Sequence, residues 1–344
     1  MAEENQDLQD ERDEGLYEHY RIHVDPGQSL MRIDKYLTNR LENISRNRVQ
    51  NAARAGNILV NDIPVKPNHR IHPNNVISIV LPDPVREVEI IPEDIPIEIL
   101  YEDDDLLVIN KEAGMVVHPG HGNFTGTLLN GLEYYFKDQE EVVPALVHRI
   151  DKDTSGVLLV GKNELAQGIL GKQFFDHSIL RSYVALAWGD FKDEEGTITG
   201  HIGRNPANRL QMFVFPDGSQ GKHAVTHYKV LERFGYVTLL ECRLETGRTH
   251  QIRAHMAYIG HPLFNDERYG GDKILKGTTF SKYKQFVENC KNLIPRQSLH
   301  AQSLGFKHPT TGKDLFFKTD LPDDLQKVIE KWRHYARHMD LFSD

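Results

Sequence analysis

Hydrophobic and polar positions change period along this chain, and the changes divide it. Met31, Ile33, Tyr36, Leu37 and Leu41 recur near helical spacing, which predicts an amphipathic helix over roughly 31–42. Ser45 stands where it can cap a second helix, SRNRVQNAARAG, ending at Gly56. NILVNDIPV (Asn57 to Val65) reads as strand, Asn-Asp turn, strand, and VISIVLP closes the unit near Pro82.

A longer region follows an acidic stretch punctuated by Pro82, Pro84, Pro92 and Pro96, a composition that suits a linker over 83–95. IEILYEDDDLLVINKEAG, ALVHRI, GVLLVGK, SYVALAWGDF, GTITGHIG, AVTHYKVLERFGYVTLLECRLE and LGFKHP alternate or run apolar like strands. Helical patterns fall at roughly 126–136, 163–175, 249–259 and 321–337. Strands outnumber helices and short turns join several of them. The expected fold is therefore α+β, a mixed and largely antiparallel sheet flanked by helices over 96–338, behind a small α/β domain over 21–82.

Charge alters this picture more than bulk composition does. A hydrophobic share of 39% and a charged share of 26% fit an ordinary globular protein. The net charge of −9 is unevenly spread. Residues 1–20 carry a net of −7 with few apolar residues, which predicts a disordered tail. Residues 81–105 carry −9; without these two stretches the remaining 299 residues hold +7. Residues 31–80 alone hold +5, and Arg46, Arg48 and Arg54 project from the second helix. They are candidate phosphate contacts, with docking on a protein as the alternative.

No apolar run approaches a membrane span, and the acidic N-terminus does not read as a secretory signal. Cys242 and Cys290 cannot form a disulfide framework, so a cytoplasmic setting is expected. No sustained heptad appears, which favours a monomer.

The candidate chemistry sits in two dense stretches. In HRIDKDTSG (His148 to Gly156), Asp151 lies between an arginine-bearing segment and turn formers, just before the apolar strand Val157–Val160. A guanidinium beside a carboxylate favours the charged form, which suits a nucleophile or base. The alternative is a structural ion pair at a turn. In ETGRTHQIRAHM (Glu245 to Met256), Gly247 and Thr249 can start a helix whose free amides suit an anion. His250 and Arg253, three apart, share a face of that helix.

Tyr183 lies in an apolar strand, where its ring fits either a core or a ligand face. His118 and His121, and His250 and His255, lack any recognised metal spacing. HRID is not the kinase loop, because Ile150 intervenes and no DFG follows. No Walker or dinucleotide fingerprint occurs, so no cofactor and no metal is expected.

Taken together, these stretches resemble the RluA/RluD-type pseudouridine synthase family, and within it the large-subunit rRNA pseudouridine synthase D group. The resemblance covers roughly residues 20–335. It rests on EDDDLLVINKEAGMVVHPG (Glu102 to Gly120), HRIDKDTSG, RSYVALAWG, LETGRTHQIRAHMAYIGHPLFND and RQSLHA, in that order. The helix–helix–hairpin with RIDKYL and SRNRVQ is similar to the small alpha-L, or S-four-type, RNA-binding domain.

The resemblance implies cofactor-free isomerisation of uridine to pseudouridine in RNA, with large-subunit rRNA as the expected partner. It makes Asp151 the catalytic aspartate, which attacks the sugar C1′ or abstracts a sugar proton. Arg253 would orient it, and Tyr183 would stack on the uracil. Arg149 would help extrude the target nucleotide, with His148, Leu244, Arg248 and His250 about the substrate. One carboxylate suffices, unlike the pair in glycoside hydrolases, because no water has to be activated.

Two further readings remain: the same chemistry on tRNA or another RNA, and a ribosome-assembly factor with a vestigial site. The chain departs from the family in Glu112, where proline is usual, and in 271–295, an expected insertion with five lysines.

Overall fold

The structure, a computed structural model, describes residues 17–41, 46–54, 56–81, 90–119, 123–139, 141–208 and 211–340. The acidic residues 1–16, the Ser45 cap, the linker through residue 89, His121 and the side chain of Arg48 lie outside the described residues. The chain divides between Val88 and Glu89 into two units.

In the first unit β1 (Tyr17–His23), β2 (Met31–Arg32), α1 (Ile33–Arg40) and α2 (Arg46–Arg54) precede β3 (Ile58–Val60) and β4 (Ile63–Pro64). β5 (Arg70–Ile71) and β6 (Val76–Leu81) complete it. β1, β6, β3 and β4 form an antiparallel sheet in that order, and β2 pairs with β5. Asn61 and Asp62 both have positive φ, 50° and 63°, the two-residue turn that matches strand twist. Ile33, Leu37, Ile58, Ile71 and Ile77 are fully or almost fully buried in one core. Residues 17–20, which composition assigns to a disordered tail, instead pair with β6. Backbone ladder bonds do not depend on side-chain charge, so an acidic edge strand looks like tail.

The second unit begins with coil that packs, rather than with a linker. Glu93 N–H donates to Asn130 O and Asn130 Nδ2 donates to Ile91 O, so residues 91–93 are tied to the chain at Asn130. The expected linker over 90–95 is therefore part of this unit. Pro92 and Pro96 lie in this coil, ahead of β7, which begins at Glu98.

Its elements are β7 (Glu98–Glu102), β8 (Leu106–Lys111), α3 (Leu128–Tyr135), β9 (Ala145–Leu146), β10 (Ser155–Gly161) and α4 (Glu164–Phe175). Next come β11 (Leu180–Trp188), β12 (Glu195–Arg204), β13 (Met212–Phe215), β14 (Lys222–Arg233), β15 (Val237–Leu244) and α5 (Gln251–Tyr258). α6 (Ser281–Leu293), β16 (Leu299–Lys307), β17 (Asp314–Lys318) and α7 (Asp323–Asp340) follow. The sheet runs β13-β12-β14-β15-β11-β16-β10-β8-β7, with β17 on β16 and β9 on β10. Among these named pairs only β10–β16 is parallel.

All seven residues of β10 are buried, because helices and loops cover both faces at the sheet centre. That explains why Val157–Val160 is a continuous apolar run and not an alternation. On one face Leu158 and Val160 join Leu107, Ile109, Leu128 and Leu132; on the other Val157 and Leu159 join Leu106, Val108 and Leu170. Each such fully buried side chain contributes roughly 1.5–3 kcal/mol.

β11 alternates: Tyr183, Ala185 and Ala187 join the first cluster, while Val184, Leu186 and Trp188 join α6 and α7. α6 occupies most of the expected 271–295 insertion. Its Tyr283, Val287 and Cys290 are buried against the sheet, with Lys282 and Lys284 exposed.

Candidate active site

Asp151 sits on the turn that leads into β10, and the turn is fixed from three directions. Lys111, almost fully buried, donates from Nζ to the carbonyls of Glu112, Met115 and Lys152 at 2.7–2.9 Å. Burial pushes its pKa down to about 7. Arg296 Nη1 donates to Asp153 O at 2.9 Å while its Nε and Nη2 grip Asp324 at the start of α7. Ser155 Oγ bonds His300 Nδ1 on β16 at 2.9 Å, and burial holds His300 down to about 4. Gly156 crosses β16 at φ +118°, where a Cβ would stand 2.1 Å from Ala301 O. A side chain cannot be placed there, so glycine is required.

The partner of Asp151 is Arg253, from α5. Arg253 Nη1 donates to Asp151 Oδ2 at 2.9 Å. Its Nε and Nη2 donate to Asp266 at 2.7 and 2.9 Å, and its guanidinium lies 5.2 Å over the Tyr269 ring. Arg253 and Asp266 are 6% and 1% exposed, so this is a buried clamp. Burial alone would lower the Arg253 pKa; Asp266 and Asp151 outweigh it and raise it.

His250 precedes α5 in the left-handed region, φ 53°, a conformation that costs roughly 1–2 kcal/mol for a side-chain-bearing residue and concentrates at functional sites. The Tyr269 hydroxyl oxygen accepts from Met212 N–H at 2.9 Å and lies 3.0 Å from His250 Nδ1. The ring tautomer sets which of the two donates in that bond, and Nε2 lies 4.0 Å from Asp151 Oδ2. Burial pushes His250 down to about 4 and Tyr269 up to about 12. His250 is a neutral donor at physiological pH.

These groups open into a cavity of about 520 Å³, whose wall includes His118, Arg149, Asp151, His250, Arg268 and Arg296. A smaller recess of about 60 Å³ shares Asp151, His250 and Arg253 and adds Tyr183, Leu244, His148, Arg181 and Arg248. Tyr183 is 8% exposed, and burial raises its hydroxyl pKa. A planar ring beside a carboxylate and a cationic rim is suited to hold an extruded base and its backbone.

Every candidate named from the catalytic stretches lies on one of these two walls, though not always in the expected way. The arginine paired with Asp151 is Arg253, a hundred residues distant, as the family resemblance implies, while Arg149, two residues before Asp151, is exposed. His148 accepts from Leu159 N–H through Nε2 at 2.9 Å and stacks on Phe174. Burial holds it at about 3, so it is a neutral support for β10. The α5 start is two residues later than Thr249, and Gln251 Oε1 accepts from Arg248 N–H.

His255 bonds Thr226 at 2.9 Å instead of pairing with His250. Asp103, Asp105 and His308 form the group among the described residues that could hold a metal ion. There His308 Nδ1 accepts from Thr310 and Thr311 N–H, so Nε2 donates to Asp103 and is not a ligand.

In the first unit Arg46 bonds the buried Asp34 together with Arg32 and Gln50. Although burial would raise it, these bonds hold the Asp34 carboxyl well below the usual range. Arg32, Arg54 and Lys66 instead line a separate recess of about 460 Å³.

Sequence reasoning missed Asp266, Tyr269, Lys111 and Arg181. The GHPLFND stretch carried Asp266, but nothing local marked it as the far jaw of the Arg253 clamp.

The chain matches the RNA pseudouridylate synthase family over residues 105–258 and the S4 domain over residues 31–77. An uncharacterized RNA pseudouridine synthase of Chlorobaculum parvum is 47% identical over 319 residues, 91% of this chain and 97% of that protein. The ribosomal large subunit pseudouridine synthase D of Neisseria meningitidis serogroup B is 41% identical, over 88% of this chain and 79% of that protein. The solved structure of human RNA pseudouridylate synthase domain containing 4 has a TM-score of 0.55 at 24% identity, covering 69% of this chain and 93% of that one, and shares the fold. With an S4 domain ahead of a pseudouridylate synthase fold, and such relatives along nearly its whole length, this chain belongs to the RNA pseudouridine synthases, isomerases that act on RNA.

Proposed function

We propose that this enzyme converts uridines of large-subunit rRNA to pseudouridine, with Asp151 as the catalytic carboxylate. The observation that carries the reading is the clamp Asp151–Arg253–Asp266 beside the Tyr183 recess. A carboxylate held at a fixed position by a buried guanidinium is oriented for one reacting carbon. An extruded uridine would lay its base on Tyr183 and present its sugar to Asp151. The N1–C1′ bond breaks, the uracil turns, and C5 bonds to C1′; the C5 proton leaves and N1 ends protonated. Uracil is both leaving group and returning nucleophile, so the recess works by keeping water from C1′.

Arg149, exposed at the cavity wall, fills the place that the extruded nucleotide leaves. The recess of Arg32, Arg54 and Lys66 contacts RNA phosphate, together with Arg46, which shares Asp34 with Arg32 and stays half exposed. The relative from Neisseria meningitidis, named for the ribosomal large subunit, supports that choice of RNA over tRNA. Among the described residues no helix is long and apolar enough to cross a membrane. We place the reaction in the cytoplasm, on a monomer.

The test uses rRNA transcripts and large subunits carrying tritium at uracil C5. Wild type should release tritium to water, and Asp151→Asn should bind the same RNA without release. Release by Asp151→Asn at the wild-type rate would remove Asp151 from the chemistry. Absence of release by wild type from every substrate would favour an assembly factor with a vestigial site.

A further inference from the structure

We propose that Arg181 is a phosphate seat, gripping an RNA phosphodiester beside the extruded uridine. Three arginines among the described residues are buried to about nine-tenths: Arg181, Arg253 and Arg296. Arg253 is paired with Asp266 and Asp151, and Arg296 with Asp324. Arg181 has no such partner. Its Nε makes no hydrogen bond, Nη2 reaches only the Glu245 carbonyl at a long 3.4 Å, and the guanidinium lies 5.7 Å over the Phe174 ring, which offers no negative charge. Burial lowers its pKa, and the charged or titrating groups that it feels are Tyr183 and Arg248, not a carboxylate.

An uncompensated buried cation is costly to a fold, and a bound anion removes that cost. The surroundings show where the anion enters. Arg181 stands two residues before Tyr183 on β11, so both point to the same recess. Gly247 covers the guanidinium from outside; a Cβ there would fall 2.7 Å from Arg181 Nη1. Gly247 is itself exposed, so the fork meets solvent at a residue without a side chain.

Arg248, next in the chain, adds a second positive charge. A planar fork with free donors suits two phosphate oxygens. Gripping the backbone next to the recess would hold the nucleotide out of its stack while the base lies on Tyr183. The inference rests on the RNA-isomerase reading above.

The experiment measures affinity for deproteinised large-subunit rRNA against salt, thermal stability, and tritium release, for wild type, Arg181→Met and Gly247→Val. Arg181→Met should melt at or above the wild-type temperature, because a buried unpaired charge is gone. It should bind RNA roughly 10- to 100-fold more weakly, with a log Kd against log salt slope shallower by about 0.7, one lost phosphate contact. Gly247→Val, which closes the entry and keeps the arginine, should lose the same affinity.

A lower melting temperature with unchanged RNA affinity makes Arg181 structural and overturns the proposal. Slower release with an unchanged salt slope also overturns it, since the arginine then senses the departing uracil. Should Arg181→Met not fold, wild-type affinity in Gly247→Val overturns it alone. Wild type that binds rRNA but releases no tritium refutes the reading above, while the affinity comparison still decides the seat.

Discussion

Replacing Asp266 with asparagine removes one of the two charges that hold Arg253 while keeping the shape of the side chain. Asp266 accepts two bonds from Arg253, at 2.7 and 2.9 Å, in a site that is 1% exposed. Removing one partner of such a buried pair costs about 3–5 kcal/mol. The amide oxygen can still accept one of the two bonds, so roughly half of that, about 2 kcal/mol, should be lost. For a unit of this size the melting temperature should fall by about 4–8 °C.

The larger effect should be on turnover. Held by one bond to an amide oxygen in place of two to a carboxylate, the guanidinium can shift, and a displacement of about 1 Å at a reacting group costs on the order of 100-fold in rate. RNA affinity should hold, because Asp266 lies behind the arginine and offers no cation to phosphate. Single-turnover tritium release at saturating enzyme separates rate from binding, and a thermal melt reads stability. A variant with wild-type melting and a rate within about threefold of wild type would show that the clamp does not place Asp151.

Two further outcomes are expected. Tyr269→Phe removes the hydroxyl that bonds His250 Nδ1 and holds the ring in one tautomer. The ring should then populate both tautomers, visible in its ¹⁵N shifts, with turnover down roughly 10-fold; an unchanged ¹⁵N pattern would break the assignment. Stability should also fall in acid, because His148, His250, His255 and His300 are held by burial at about 3, 4, 4 and 4. Their folded values are depressed, so the unfolded chain takes up protons first as pH drops below the ordinary histidine value. Each should cost roughly 1.4 kcal/mol at pH 5.5 and more toward pH 4, as read by melting temperature against pH. A flat profile between pH 7 and 5 would contradict the neutral buried state of these rings.

What the sequence exposed and what it hid follow from how far each signal reaches. The Asn61-Asp62 turn, α3, α4, α5 and the buried β10 are local patterns, and each forms close to where periodicity or turn chemistry puts it. Asp151 was legible for the same reason, since its turn residues are its neighbours. The pairing of Asp151 with Arg253 came only from the family resemblance, and the far jaw, Asp266, came from neither source, because only the closed fold brings residues 151, 253 and 266 together.

Arg46 shows the same limit. Its side chain is half exposed, as a phosphate contact requires, but its bond to Asp34, buried twelve residues earlier, left no local trace. β1 hid behind the acidic composition of its neighbours, because ladder bonds leave little trace in side-chain type. Arg181 hid inside an apolar strand, where a charged residue without a partner is visible only once its surroundings are known.

The parallel contact of Gly156 with Ala301 also sets a timetable for synthesis. Ser155 and His300, which bond across this contact, are 145 residues apart in the chain. At about 5–20 residues per second, the ribosome delivers β16 roughly 7–30 s after the Asp151 turn has been made. Through that interval the nascent chain carries Asp151 on a turn backed by β8 on one side and open on the side that β16 will take. Both motif stretches emerge before residues 299–307, so the turn that carries Asp151 is braced on both sides only once β16 has been made. A message cut short before β16 yields a protein with the signature residues on a turn that lacks its parallel strand.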